Sequence, residues 1–134
     1  MILADTSAWV EYDRATGSRV DERMADLVGE PETLAVTEPV MMEILAGARD
    51  DRREVDLRRL LGRFRLLRFD PAADFDGAVR IHRSCRQAGV TPRGLLDCLI
   101  AAVAIRHRVA LLTADQDLAR IATVMDVQLD PASG

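Results

Sequence analysis

The sequence predicts an α/β fold in which a mostly parallel sheet is covered by helices. Short apolar runs alternate with amphipathic stretches along the whole chain, as they do in successive β-α-β units. The length of 134 residues is that of one average domain, and no repeat, low-complexity stretch or interdomain linker divides it. The composition, 49% hydrophobic and 30% charged, is ordinary for a folded protein. We therefore expect residues 1–134 to form a single domain.

Four short apolar runs predict the strands of this sheet. They span residues 2–5, 34–36, 66–69 and 110–113, and a weaker run near 127–129 predicts a fifth strand. Each run is bounded by polar residues, glycine or proline, which is typical of strands that are buried in a parallel sheet.

Capping residues and apolar periodicity predict five helices between these runs. In chain order, the first is capped by Ser18, the second opens at residues 37–39, and the others span 51–61, 71–88 and 95–107. Asp70 followed by Pro71 is typical of a helix start, and Gly89 is typical of a helix end.

The residue types exclude several classes of enzyme. All eighteen basic residues are Arg, and the sequence contains neither Lys nor Asn. A Walker-A phosphate loop, a Lys-dependent phosphatase or receiver domain, Schiff-base chemistry and a Cys-His-Asn protease are therefore all excluded.

The cysteine content and the hydropathy predict a cytoplasmic protein without a membrane span. Cys85 and Cys98 form no CxxC pair, so neither a disulfide framework nor a zinc site is expected. The first ten residues lack the basic segment of a signal peptide. The longest nearly apolar run, 95–105, is interrupted by Asp97 and is too short to cross a bilayer.

The net charge of −4 is distributed unevenly along the chain. Residues 49–68 carry eight Arg against four acids, and residues 80–108 carry six Arg against one acid, whereas the segments around them are acidic. This pattern is compatible with a phosphate-binding rim around a carboxylate pocket. The alternative is a pair of solvated helix faces with ion pairs one turn apart, such as Glu54 with Arg58.

Four acids stand where they could share one pocket. Asp5 ends the first strand and Asp115 follows the strand 110–113, so both are expected at the carboxyl edge of the sheet, where parallel sheets bind ligands. Asp97 and Glu43 each border the apolar stripe of a helix. Taken singly, Asp5 and Asp115 could be helix caps, Asp97 could be a first-turn acid that favours the helix dipole, and Glu43 could be exposed.

A cluster of four carboxylates restricts the chemistry. Such groups repel one another and must either take up protons or bind cations. Oxygen ligands without imidazole or thiolate select hard ions such as Mg²⁺ or Mn²⁺. Such an ion can activate a water molecule for attack on a phosphodiester.

Four stretches of the sequence together resemble a PIN-domain ribonuclease, and more narrowly a VapC-type toxin of a bacterial toxin-antitoxin pair. They are the DTS that begins at Asp5, EPVMMEILAG around Glu43, LLDCLIAAVA around Asp97, and LLTADQDLARIA around Asp115. The resemblance implies a three-layer α/β/α sandwich, Mg²⁺- or Mn²⁺-dependent cleavage of RNA, frequent homodimers and inhibition by a small cognate antitoxin.

The same resemblance implies roles for individual residues. Asp5, Glu43, Asp97 and Asp115 would be the catalytic acids, and Asp5, Asp97 and Asp115 would also be the metal ligands. Ser7 and Thr113 would be hydroxyl neighbours that orient carboxylates or water. Asp117 would be a secondary acid, and Arg93 would contact a phosphate of the RNA. Leu118 departs from the pattern, because many relatives have an aromatic residue there.

Two other classes of function remain open from the sequence. In a non-catalytic binding module, the same acids would dock an Arg-rich partner peptide. In a DNA nuclease, the metal chemistry would be the same and only the recognition of the polymer would differ, since contacts to the 2′-hydroxyl cannot be located in the sequence.

Overall fold

The computed structural model describes all 134 residues and contains one four-stranded sheet in which every pairing is parallel. The strand order is β3-β2-β1-β4. The strands are β1 (Ile2–Ala4), β2 (Leu34–Val36), β3 (Arg65–Leu66) and β4 (Ala110–Leu112). The helices are α1 (Thr6–Asp13), α2 (Arg19–Val28), α3 (Glu38–Ala46), α4 (Asp51–Leu61), α5 (Pro71–Gln87), α6 (Leu95–His107) and α7 (Gln116–Val124).

The strand order places helices on both faces of the sheet. The chain moves outward from β1 to β2 and β3, and then returns past β1 to β4. With right-handed crossovers, α1 to α4 cover one face, and α5 and α6 cover the other. Helix contacts agree, because α1 packs against α2 and α3, whereas α6 packs against α5 and α7. The predicted α/β fold with a parallel sheet is confirmed.

The predicted strands are correct in position and differ at their ends. Residues 34–36 form β2 as expected, whereas the strand predicted at 66–69 is only β3 at Arg65–Leu66. The amide of Leu67 still donates to the Val36 carbonyl at 2.8 Å. The amide of Phe69 donates instead to the Glu38 carboxylate at 2.8 Å, so the chain has left the sheet there. The weak fifth strand is reduced to a single parallel bridge between Leu111 and Leu129.

All five predicted helices are present, and two further helices follow strand ends. Ser18 Oγ accepts from the Asp21 amide at 3.1 Å, and Asp70 accepts from the Ala72 amide at 3.1 Å, as expected for helix caps. The additional helices α1 and α7 begin directly after Asp5 and Asp115. These two helices, of eight and nine residues, were not predicted from the sequence.

The core lies between the sheet and the two helix layers. Trp9 is 3% exposed and Leu118 is fully buried, so both belong to the core. Of the two adjacent methionines of α3, Met41 packs against the core, whereas Met42 is 59% exposed. Both cysteines are free and buried, and burial raises the pKa of the Cys98 thiol to about 11. Every helix of the chain is too short or too polar to span a bilayer.

Candidate active site

Asp5 follows the carboxyl end of β1, at the position where the strand order of the sheet reverses. β1 and β4 are neighbours, and the helices that follow them leave toward different parts of the molecule, which makes the crevice between these strands a topological switch point. The Asp5 amide is still paired to the Leu112 carbonyl at 3.1 Å, so the sheet fixes its backbone. Its side chain caps α1 by accepting from the Ala8 amide at 2.9 Å.

Two hydroxyl groups hold the carboxylate of Asp5. Ser7 Oγ donates to Oδ1 at 2.7 Å, and Thr113 Oγ1 donates to Oδ2 at 2.7 Å. Burial raises the pKa of Asp5, and the charge of Asp115 adds to this effect, while the hydrogen bonds from Thr113, Ala8 and Ser7 oppose it. Asp5 is therefore both a helix cap and a member of the acidic cluster, two roles that the sequence presented as alternatives.

Asp115 is connected to Asp5 through a single side chain. The Asp115 amide donates to Thr113 Oγ1 at 2.9 Å, and the same hydroxyl donates to Asp5. Asp115 Oδ1 caps α7 by accepting from the Asp117 amide at 2.8 Å. Ser7 joins the network by accepting from the Ala114 amide at 2.9 Å. The strand ends of β1 and β4 are thus joined by hydroxyls.

Asp97 lies in the first turn of α6 and is affected by all the other acids of the site. Burial, followed by the charges of Asp115, Asp5, Asp117 and Glu43, raises the pKa of Asp97 to about 6. No hydrogen bond contributes to this shift, in contrast to Asp5. Asp97 is therefore the least neutralised carboxylate of the group.

Glu43 reaches the site from α3 and is held by α1. Thr6 Oγ1 donates to Glu43 Oε1 at 2.5 Å. Thr6 was not predicted as a site residue, although it directly follows Asp5 and is the first residue of the helix that Asp5 caps. A hydroxyl in that position is the signal that could have identified it.

Arg93 lies at the edge of the site and is paired with its acids. Its guanidinium donates to Asp115 Oδ1 at 2.8 Å, and its Nε lies 3.8 Å from Asp117 Oδ2. Asp117 is 4% exposed and also accepts from the Arg93 amide at 3.0 Å. Asp117 thus holds the loop before α6. The expected phosphate contact of Arg93 remains a prediction, since its side chain is 73% exposed but is engaged by carboxylates here.

The donor chemistry of these residues fits a hard divalent cation. All the groups are carboxylates or hydroxyls. Burial and the repulsion of the neighbouring acids raise the pKa of Asp97, and a cation would relieve that repulsion. No three acidic, His or Cys side chains are arranged to hold an ion together, however. The oxygens of Asp5 are occupied by protein donors, and Asp115 is engaged by Arg93.

A groove of about 730 Å³ extends from the site between α1, α3 and α4. Thr6 and Glu43 belong to its lining, so one part of it borders the acids. Apolar side chains, among them Ile44 and Leu60, make up about half of the lining residues. The remainder includes three arginines, which are Arg14, Arg49 and Arg53.

The fold and this site define an α/β protein whose acids converge at the carboxyl edge of a parallel sheet. The PIN domain family matches residues 2–124. VapC ribonuclease Mb1587 of Mycobacterium bovis is 46% identical over 129 residues, which cover 96% of each chain. The chain therefore belongs to the PIN-domain family and, within it, to the VapC ribonucleases.

Solved structures show the same fold. VapBC2 from Rickettsia felis, solved with a DNA fragment from its promoter, matches with a TM-score of 0.75 at 18% identity over 97% of this chain and 98% of that one. A toxin-antitoxin complex from Klebsiella pneumoniae matches with a TM-score of 0.67 at 20% identity, over 87% of this chain and 88% of that one. The three-layer arrangement is thus the fold of these proteins.

Proposed function

We propose that this chain is a Mg²⁺- or Mn²⁺-dependent endoribonuclease that acts as the toxin of a toxin-antitoxin pair. The observation that carries the proposal is the meeting of the acids of the candidate active site at one edge of the sheet, where Thr113 joins Asp5 to Asp115. Burial and the charges of the neighbouring acids raise the pKa of Asp97 there. The identity of 46% to a protein named as a ribonuclease supports RNA as the substrate.

Asp5, Asp97 and Asp115 would hold the ion after a rearrangement that brings their carboxylates together and releases Asp115 from Arg93. When bound, it supplies a Lewis acid that activates water and neutralises charge on the phosphate. Ser7 and Thr113 keep Asp5 in one orientation, and Thr6 does the same for Glu43. Glu43 is the group on the groove side of the site, where it can accept a proton from water or orient it.

Asp97→Asn is the sharpest test of this proposal, because Asp97 has no hydrogen bond to lose. We expect cleavage of a structured RNA with Mn²⁺ to fall by at least about 100-fold, since even groups outside the ligand sphere cost 10–100-fold. Asp26→Asn, an exposed acid of α2, is the matched control and should retain full activity. Asp5→Asn should also be inactive. Full activity of both Asp97→Asn and Asp5→Asn, with the fold intact, would end the proposal.

Two assays distinguish the other classes of function. A non-catalytic module needs no divalent ion, so calorimetric binding of Mn²⁺ that is lost in Asp97→Asn argues against it. A DNA nuclease would degrade DNA at least as well as RNA in a side-by-side digestion, and we expect RNA alone to be cleaved.

We further propose that a cognate antitoxin docks in the groove between α1, α3 and α4. An amphipathic segment would place apolar side chains against Ile44 and Leu60 and a basic side chain toward Glu43. We expect a short gene directly upstream to encode this antitoxin. A homodimer also remains a proposal, which sedimentation of the purified chain would test.

Leu60→Glu should abolish capture of that gene product in co-expression, because it puts a charge into the apolar part of the groove. Val55→Glu is the matched control, since Val55 is 50% exposed on the same helix and lies outside the groove lining. Equal capture by both variants would place the antitoxin elsewhere.

A further inference from the structure

The last residues of the sequence run beside β4, next to the candidate active site. The Leu111 amide donates to the Gln128 carbonyl at 2.9 Å, and the Asp130 amide donates to the Leu111 carbonyl at 2.7 Å. β4 is the outermost strand on this side of the sheet, so this segment covers an edge that would otherwise be open.

Thr113 depends on this segment for both of its backbone groups. Its amide donates to Ser133 Oγ at 3.1 Å, and its carbonyl accepts from the Gly134 amide at 3.0 Å. Thr113 is fully buried, so these groups need partners from the protein. Ser133 is therefore the side chain that fixes the Thr113 amide.

The hydroxyl of Thr113 in turn holds two of the acids, because it donates to Asp5 and accepts from the Asp115 amide. We propose that Ser133 is a positioning residue of the active site, which acts through Thr113 to keep Asp5 and Asp115 in their relative positions. This inference rests on the proposed nuclease activity of that site.

The segment has its own anchor on α2. Arg23 Nε lies 3.1 Å from Asp130 Oδ2, and Arg19 donates to the Pro131 carbonyl at 2.9 Å. The Ser133 amide donates to the Asp130 carbonyl at 2.8 Å. These contacts give Ser133 a defined place, although it lies far from Asp5 in the sequence.

Amide hydrogen exchange of the metal-free full chain tests the positioning directly. In Ser133→Ala, the protection of the Thr113 amide should fall at least about five-fold, because its hydrogen-bond acceptor is lost. Ser133→Thr keeps the hydroxyl and should restore it. Ser84→Ala removes a hydroxyl of α5 that lies outside the site network and should leave the Thr113 amide unchanged.

The kinetics of RNA cleavage test the function of this position. Ser133→Ala should lower kcat about ten-fold with KM unchanged, because Ser133 orients acids rather than RNA. Ser133→Thr should restore kcat. Unchanged exchange or unchanged kcat in Ser133→Ala, or an equal loss in both Ser133 variants, would overturn this inference alone. If the unsubstituted chain does not cleave RNA, the proposed function fails, and this inference fails with it.

Discussion

At the scale of single residues, the acids of the site serve structure and chemistry to different degrees. Asp5 and Asp115 cap helices and accept several hydrogen bonds, so their substitution removes local structure as well as charge. Asp97 makes no such contribution, and its ionisation is opposed by its surroundings. The ionised Asp97 carboxylate therefore destabilises the metal-free fold.

This leads to a prediction for the stability of Asp97→Asn. The folded-state pKa of about 6 lies above the ordinary value of 3.8, so the metal-free wild type loses stability as the pH rises between these values. At pH 7 in EDTA, we expect Asp97→Asn to raise the free energy of unfolding by about 1–2 kcal/mol, with a smaller gain at pH 5. Urea unfolding at both pH values measures it. A variant less stable than wild type at pH 7 would contradict the prediction.

At the scale of elements, an ion pair between a buried carboxylate and a partly exposed arginine ties α5 to α6. Arg106 donates to Asp74 Oδ1 at 2.9 Å and to Oδ2 at 2.7 Å, and it also donates to the Arg68 carbonyl before α5. Asp74 is 1% exposed. Burial alone would raise the pKa of Asp74, but the hydrogen bonds from Arg106 and from the Asp70 amide, with the charge of Arg106, hold it below the usual value. The pair fixes α6, which carries Asp97.

Asp74→Asn is expected to lower the free energy of unfolding by about 2–3 kcal/mol at pH 7, because Arg106 would lose its charged partner. The loss is moderate because the Arg106 side chain is partly solvated. The contribution of Asp74 is complete above the ordinary value of 3.8 and is lost as the pH falls through its lower folded-state pKa. Asp76→Asn is the matched control, since the pair of Asp76 with Arg80 is exposed and should contribute less than about 1 kcal/mol. Equal losses in urea unfolding would show that burial of the pair is unimportant.

At the scale of the whole molecule, the structure shows ion pairs within the basic segments, while the phosphate-binding rim stays a prediction. Arg58 pairs with Glu54 at 2.8 Å, as expected for a solvated helix face. Arg49 belongs to the lining of the groove to which Glu43 also contributes, and its Nε lies 3.8 Å from Asp50. We therefore expect a phosphate backbone that follows this groove to meet positive charge.

Salt dependence of RNA binding checks this arrangement. With the Asp97→Asn chain, which prevents cleavage, the binding constant should fall with salt by a log–log slope of about −0.7 per phosphate contact on a single strand. Arg49→Gln should reduce the steepness by about 0.7, whereas Arg58→Gln should leave it nearly unchanged. A slope that does not respond to Arg49→Gln would remove the groove from the RNA path.

The fold class, the positions of the strands and five of the seven helices could be predicted from the sequence, because alternating apolar runs and caps are local signals. The sequence also singled out Asp5, Glu43, Asp97 and Asp115 as acids in unusual places. It could not determine what holds those acids. Thr6 with Glu43, Ser133 with Thr113 and Arg106 with Asp74 are pairs that lie 37, 20 and 32 residues apart. These pairs become visible only in three dimensions, since hydrogen bonds of this kind depend on which strand ends and helix faces the crossovers bring together.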